Sequence, residues 1–259
     1  MLTNYHTHHY RCLHASGEVE DYVKEAVEQG YNILGMSCHM PYENFPEMKY
    51  RMRYDELPQY LNDIEAANQK YPSIQVLKSL ECEYFEHLHA YYEQLAAQTD
   101  YLIVAQHKVM IGKTMHDAFK FTMPEQLRAY GEVLEIAMKT NLFSMVAHPD
   151  VFMMRYPRWD AACEAITHQI AKTALECDVT LEINANGFRR GLMTYEDGTR
   201  YPYPADQFWT LVAKHYPTVK VIVNADCHDP KLLNDAYVAQ AKDYAKQMKL
   251  NLIEVLPLK

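Results

Sequence analysis

The sequence predicts an α/β fold, a TIM-like barrel of about seven strand–helix units formed as a single domain, and three observations carry that prediction. The chain is 259 residues long, close to the roughly 250 residues of a one-domain (β/α) barrel. Short β-branched or apolar runs alternate with longer amphipathic segments about seven times, and strict strand–helix alternation implies parallel strands joined by right-handed crossovers. No low-complexity segment, fixed-period repeat or Gly/Ser linker marks a boundary, so residues 1–259 read as one domain.

The first strand is expected over residues 2–7, where a period of two puts His6 and His8 on one face within reach of one cation. A helix over 18–29 follows, closed by Gly30. The second strand, 31–37, leads through a long loop, 40–54, to a helix over 56–70. Strand and helix then repeat as 74–80 with 85–98, 101–106 with 125–140, 142–147 with 159–176, 179–184 with 204–215, and 219–225 with 230–249. Thr122-Met123-Pro124-Glu125 supplies an N-cap Thr, a first-turn Pro and a Glu three residues on. The loops 40–54 and 185–203 are longer than such connections need and fall on the barrel face where active sites are built. They are expected to carry substrate contacts.

Composition narrows the function. With 49% hydrophobic and 23% charged residues the chain resembles an ordinary globular protein, and no apolar run approaches the roughly 20 residues of a spanning helix. No export signal is recognisable, so a cytoplasmic location is expected. The six cysteines, Cys12, Cys38, Cys82, Cys163, Cys177 and Cys227, are scattered without a C-x-x-C pair and read as reduced, half-buried thiols. A net charge of -9 argues against a general nucleic-acid binder, while leaving room for local capture of one phosphate.

The polar residues closing the strands carry the chemistry. The first strand supplies His6 and His8 and its loop His14; the second gives His39, the third Glu81, the fourth His107, the fifth His148 and the seventh Asp226 and His228. Any one of these is more often a surface or packing residue. Six of seven strands ending in ligand-type residues is a different matter, because barrel closure aims them at one axis. His9, His87, His89, His116, His168 and His215 fall out of phase, or on helices and loops, and read as surface or packing residues. Imidazoles with bridging carboxylates suit zinc, manganese or iron and not the oxygen cage of calcium. Nine ligands exceed the needs of one ion, so two to three divalent transition-metal ions are expected, with Glu81 as the bridge.

In order, His6-Thr7-His8, His14, His39, Glu81, His107, His148 and Asp226-Cys227-His228 resemble the motifs of the PHP (polymerase and histidinol phosphatase) superfamily over nearly the whole chain. The resemblance implies a PHP metal-dependent phosphoesterase domain over 1–259, a distorted (β/α)7 barrel with a trinuclear metal centre. It implies one metal on His6, His8, Glu81 and Asp226, a second on Glu81, His107 and His148, and a third on His14, His39 and His228. Glu81-Cys82-Glu83-Tyr84-Phe85, His148-Pro149-Asp150-Val151-Phe152 and the run from Leu181 to Arg190 are similar to the stand-alone histidinol-phosphate phosphatases of histidine biosynthesis. Ala105-Gln106-His107 departs from that pattern, in which a small pair such as Gly-Ser precedes the histidine.

The expected function is therefore hydrolysis of the phosphomonoester L-histidinol phosphate to L-histidinol and phosphate, by in-line attack of a metal-bridging hydroxide on phosphorus. Glu81, Asp226 and His228 are the expected catalytic residues, the last two being candidates to protonate the leaving group. Arg158, Arg189, Arg190, Arg11 and, less directly, Arg155 lie in loops from which a guanidinium fork could take phosphate. Glu83, with Glu43, Glu182, Tyr42 or Phe188, is a candidate partner for the histidinol amine and imidazole. No nucleic-acid or membrane partner is expected, and the sequence leaves the oligomeric state open. The alternatives are a PHP phosphodiesterase, a protein-tyrosine phosphatase of the same superfamily, and a non-catalytic metal protein.

Overall fold

Buried parallel strands need apolar residues on both faces, and the strands that form here are short and largely apolar, with acidic and amide side chains where they open onto the site. The computed structural model describes residues 1–45 and 48–259, so part of the 40–54 loop, at 46–47, lies outside the described residues. In chain order the strands are β1 (Thr3–Asn4), β2 (Ile33–Met36), β3 (Gln75–Cys82), β4 (Tyr101–Val104), β5 (Lys108–Ile111) and β6 (Thr114–Asp117). Then come β7 (Met145–Val146), β8 (Thr180–Asn184), β9 (Met193–Tyr195), β10 (Gly198–Arg200), β11 (Lys220–Asn224) and β12 (Asn251–Leu252). The helices are α1 (Val19–Glu28), α2 (Leu57–Lys70), α3 (His89–Ala96), α4 (Pro124–Lys139), α5 (Ala161–Glu176), α6 (Ala185–Arg189), α7 (Asp206–His215) and α8 (Ala236–Gln247).

One sheet runs β1-β2-β3-β4-β7-β8-β11-β12, and every pairing in it is parallel. It curls into a distorted barrel. Between β1 and β11 the closure uses a parallel bridge from Thr7 to Cys227, with His8 N–H donating to the Cys227 carbonyl at 3.1 Å. Below it two asparagines replace the missing ladder. Asn224 Oδ1 accepts from Tyr5 N at 2.7 Å, and Asn4 Oδ1 accepts from Ala225 N at 2.7 Å. Lower still, β12 fills the gap: it pairs with β11, and the Thr3 hydroxyl donates to the Glu254 carbonyl.

Two apolar layers result. The outer one joins the sheet to the helices, and α4 shows how: Leu127, Tyr130, Leu134, Ala137 and Met138 recur at helical spacing and are buried. The inner one fills the barrel with Tyr5, Leu77, Tyr101, Ile103, Met145 and Ile222. Gly35 makes room for it. A Cβ at that position would lie 1.8 Å from Tyr101 Oη, whose hydroxyl instead donates to the Tyr5 carbonyl at 2.6 Å.

The element order is the expected one, with differences that have local causes. The segment 85–98 starts as a 3-10 turn, Glu86–Leu88, because Phe85 stays extended and its N–H is taken by the Tyr92 hydroxyl at 2.9 Å. Asp160 and Asp235 accept from the first free N–H groups of α5 and α8, which sets those starts later than expected. At α4 the cap is Met123, not Thr122. Gln126, three residues on from Met123, accepts from both Thr122 N and Met123 N, the role expected of Glu125. The hairpins β5–β6 and β9–β10 and the strand β12 were not anticipated; the hairpins lie in the fourth- and sixth-strand loops. Among the described residues no helix is long and apolar enough to cross a membrane.

Candidate metal centre

The strand ends bring their ligand-type side chains to one place. Glu81, 1% exposed, is central. Its Oε1 lies 3.1 Å from His6 Nε2, 3.1 Å from His148 Nε2 and 3.7 Å from His107 Nε2. Its Oε2 lies 2.8 Å from His39 Nδ1 and 3.6 Å from His8 Nε2. Asp226 faces it from the seam, with Oδ1 3.1 Å from His8 Nε2, 3.6 Å from His6 Nε2 and 3.7 Å from His228 Nδ1. Both Asp226 and His148 hold positive φ, 44° and 31°, a conformation that non-glycine residues adopt where surroundings force it.

An outer layer of acceptors decides which nitrogen each ring presents. A carboxylate or carbonyl oxygen can only accept, so the ring nitrogen facing it carries the proton. His6 Nδ1 donates to Glu182 Oε1 at 2.9 Å, and His107 Nδ1 donates to Glu83 Oε1 at 2.9 Å. His14 Nδ1 donates to the Cys12 carbonyl at 2.8 Å, and His228 Nδ1 faces the Asp226 carbonyl at 3.3 Å. In the neutral rings, Nε2 then carries a lone pair. Glu182 also accepts from Asn224, Asn184 and His148 N–H, while Glu83 takes a forked pair of bonds from Arg51. Burial would raise the Glu81 carboxyl, but His39, His6 and His107 outweigh it and hold it well below the usual carboxylate range. The same contest at Asp226 is won by His6, His8 and His228. Burial pushes His39 down to about 4 and His228 down to about 3.

These atoms fit metal ions. His14 Nε2 and His228 Nε2 face each other at 3.0 Å, His6 and His8 Nε2 at 3.1 Å, and His107 and His148 Nε2 at 3.3 Å. Two nitrogens on one zinc at about 2.0–2.1 Å stand roughly 3.3 Å apart in a tetrahedron. Paired imidazole nitrogens at such distances are spaced as two ligands of one cation would be. Glu81 Oε2 and His39 Nδ1 lie 2.8 Å apart without the geometry of a hydrogen bond, and Asp226 Oδ1 is likewise buried without one, an arrangement that is costly unless a ligand satisfies them. The sets His6, His8, Glu81; His39, Glu81, His107; and His8, His39, His228 each place their ligand atoms within 4.8 Å of one another. The buried thiols of Cys12 and Cys38 form such a set with His8, a proximity that their scattered sequence positions concealed.

Residues 4–186 match the model of the PHP domain. The chain belongs to the PHP domain family. A Deinococcus radiodurans protein named "Probable histidinol-phosphatase" is 23% identical over 242 residues, covering 88% of this chain and 87% of that protein. The Bacillus subtilis DNA polymerase/3'-5' exonuclease PolX is 21% identical over 218 residues, which span 84% of this chain but 32% of that protein. Among solved structures, the histidinol phosphate phosphatase of Lactococcus lactis, complexed with zinc, L-histidinol and phosphate, superposes with a TM-score of 0.74. It is 18% identical, and the match covers 97% of this chain and 95% of that one.

On this PHP barrel the nine residues expected as ligands converge, whereas the expected substrate contacts scatter. Arg190 alone of the arginines reaches the metal cavity, a space of about 220 Å³ walled by the ligands with Phe119, Asn186, Tyr203 and Leu232. Its Nε donates to the Tyr203 hydroxyl at 2.9 Å. Arg11 is turned into the protein, 2.8 Å from Asp63 and bonded to His9, which itself packs on Tyr60 as a buried residue. Arg189 is consumed by Asp235 and by the carbonyls of Ala225 and Leu232. Arg158 points to solvent, 3.5 Å from Glu196. Arg155 reaches only the outer mouth. Glu83 and Glu182 sit behind histidines, Tyr42 bonds Glu83, Glu43 lines a separate cavity and Phe188 packs on Tyr201 and Tyr244. Sequence reasoning missed Arg51, Tyr203, Phe119 and the asparagines around Asp226.

Proposed function

We propose that this PHP chain is a metal-dependent phosphomonoesterase that hydrolyses L-histidinol phosphate to L-histidinol and phosphate with two to three zinc, manganese or iron ions. The observation that carries the reading is the convergence of nine ligand-type side chains, five of them histidines within 3.7 Å of Glu81, beneath a small cavity with an arginine on its rim. The names of the Deinococcus and Lactococcus proteins support the substrate.

His6, His8, Glu81 and Asp226 would hold one ion, Glu81, His107 and His148 a second, and His14, His39 and His228 a third. Ions bound there supply a water of lowered pKa and polarise phosphoryl oxygens. The chain's own residues do the rest. No Ser, Thr or Cys lines the cavity among the described residues, its histidines and carboxylates would be taken up by the ions, and the Tyr203 hydroxyl is bonded to Arg190, which favours water as the nucleophile: its oxygen would bond to phosphorus as the bond to the alcohol oxygen breaks. Arg190 leaves its two terminal nitrogens without a protein partner among the described residues, and they are placed to take phosphoryl oxygens. Asp226, bonded by Asn184 at 3.0 Å and Asn186 at 3.3 Å, and His228 line the cavity, and one of them or a metal-bound water would protonate the departing alkoxide.

The test is phosphate release from L-histidinol phosphate against phosphotyrosine, nucleotides and simple sugar phosphates, with His107→Ala and Glu81→Ala alongside. Histidinol phosphate should lead the panel and both variants should abolish its turnover while remaining folded. Flat activity across the panel rejects the substrate, and active variants reject the metal chemistry.

A further inference from the structure

The metal cavity opens into a wider mouth of about 420 Å³, which shares the walls His14, His39, His107, Phe119 and Arg190. Its composition contrasts with the chain. The whole protein carries -9, yet this mouth is lined by Lys49, Arg51, Lys108, Lys120, Arg155 and Arg190 against two carboxylates, Glu83 and Asp117. Both carboxylates are already committed. Glu83 is buried between Arg51 and His107, and Asp117 lies 3.0 Å from Lys108 and 3.9 Å from Lys120. Among the described residues, Lys49 and Arg155 have no carboxylate at ion-pair distance, and Lys120 is 79% exposed. A cleft of one sign focuses its field and concentrates ligands of the opposite sign.

The scissile phosphate accounts for Arg190 and the metal ligands, but not for cations on the outer rim. We infer that the mouth receives a second anionic group, so that small phosphomonoesters bearing a further phosphate or carboxylate are substrates in addition to histidinol phosphate. The inference rests on the phosphomonoesterase reading of the inner cavity. A polynucleotide is a poorer occupant, since the overall charge repels a long polyanion.

Unreactive phosphonates separate binding from turnover. On the full chain loaded with zinc, Kd is measured by titration for 3-phosphonopropionate and ethylphosphonate, which place a negative or a neutral group beyond the phosphonate. The anionic ligand should bind about fivefold or more tighter than the neutral one, with the preference shrinking as salt rises. In the exposed double variant Lys120→Glu, Arg155→Glu the preference should vanish. Equal affinities, or a preference untouched by the double variant, would overturn the inference. Turnover of 3-phosphoglycerate against glycerol 2-phosphate should then follow the same order. Absence of turnover on all esters, with the phosphonate ranking intact, would instead reject the phosphatase reading and leave the anion-selective mouth standing.

Discussion

Glu182→Gln asks whether the carboxylate beneath the histidines does more than fill space. Glu182 is fully buried and accepts four hydrogen bonds. Oε1 takes His6 Nδ1 at 2.9 Å and Asn224 Nδ2 at 3.0 Å; Oε2 takes His148 N at 3.0 Å and Asn184 Nδ2 at 2.8 Å. A glutamine has the same shape but only one acceptor oxygen, so its NH2 meets two donors whichever way it turns. Two buried unsatisfied donors at about 1–3 kcal/mol each cost about 2–6 kcal/mol. With about 2–4 °C per kcal/mol for a chain of this size, Tm should fall by on the order of 5–15 °C after partial relaxation. If the NH2 faces His6, that ring must move its proton to Nε2 and loses its lone pair for the metal. If it faces His148, the positive-φ backbone there loses its anchor. Either way zinc affinity should fall about 10–100-fold, the usual effect of removing an acceptor behind a ligand histidine. Calorimetry reads the first number and competition with a chelator the second. A variant that keeps Tm within about 2 °C and zinc affinity within about twofold refutes the reasoning.

Other perturbations follow from the same geometry. Arg190→Ala should lower kcat/KM for the best phosphomonoester about 100-fold, from two lost charge-assisted hydrogen bonds, and Lys should recover little of it; activity within about threefold of wild type would contradict this. Arg51→Ala leaves the Glu83 carboxylate buried without its cation, so unfolding free energy should drop by about 3–5 kcal/mol and zinc should be held more weakly at His107, checked by denaturant titration and metal analysis. Gly35→Ala drives a methyl into Tyr101 Oη and should cost about 2–4 kcal/mol; Tyr101→Phe added to it should return part of that loss, and an unchanged Tm for the single variant would show that the barrel interior yields easily.

The gathering of ligand-type side chains was legible because strand ends in a parallel barrel share one face, so chain order brings together His6, His8, His39, Glu81, His107, His148, Asp226 and His228. The supporting residues left a weaker trace. Glu182 and Asn184 alternate with Leu181 and Ile183 in β8, and a polar i, i+2 pair in a strand buried on both faces already says that one face of it is not lipid-like core; Asn224 and Asp226 repeat the signal. The arginines could not be sorted. Arg189 and Arg190 are neighbours in sequence at the end of α6, and helix geometry sends one into Asp235 and the other toward Tyr203, a choice fixed by packing and not by residue type. The β1 strand shrank to two residues because side-chain amides from Asn4 and Asn224 took over ladder positions, a substitution that no hydropathy pattern encodes.

That seam also sets the order in which the molecule can come together. The residues meeting across it are more than 210 apart in the chain, so they close a very long loop, and loops of that kind form late. At the top of it, beside the Thr7–Cys227 bridge, the asparagine pair and the Ser16 N–H bond to the His228 carbonyl at 2.8 Å, His6 and His8 on one lip face Asp226 and His228 on the other. An ion gripped by both lips would be a rivet through the last joint of the cask. Amide hydrogen exchange should therefore show His8, Tyr5 and Ala225 as the first barrel amides to lose protection when metal is stripped, well before those of β3 and β4, and uniform loss around the barrel would show that the seam is held without it.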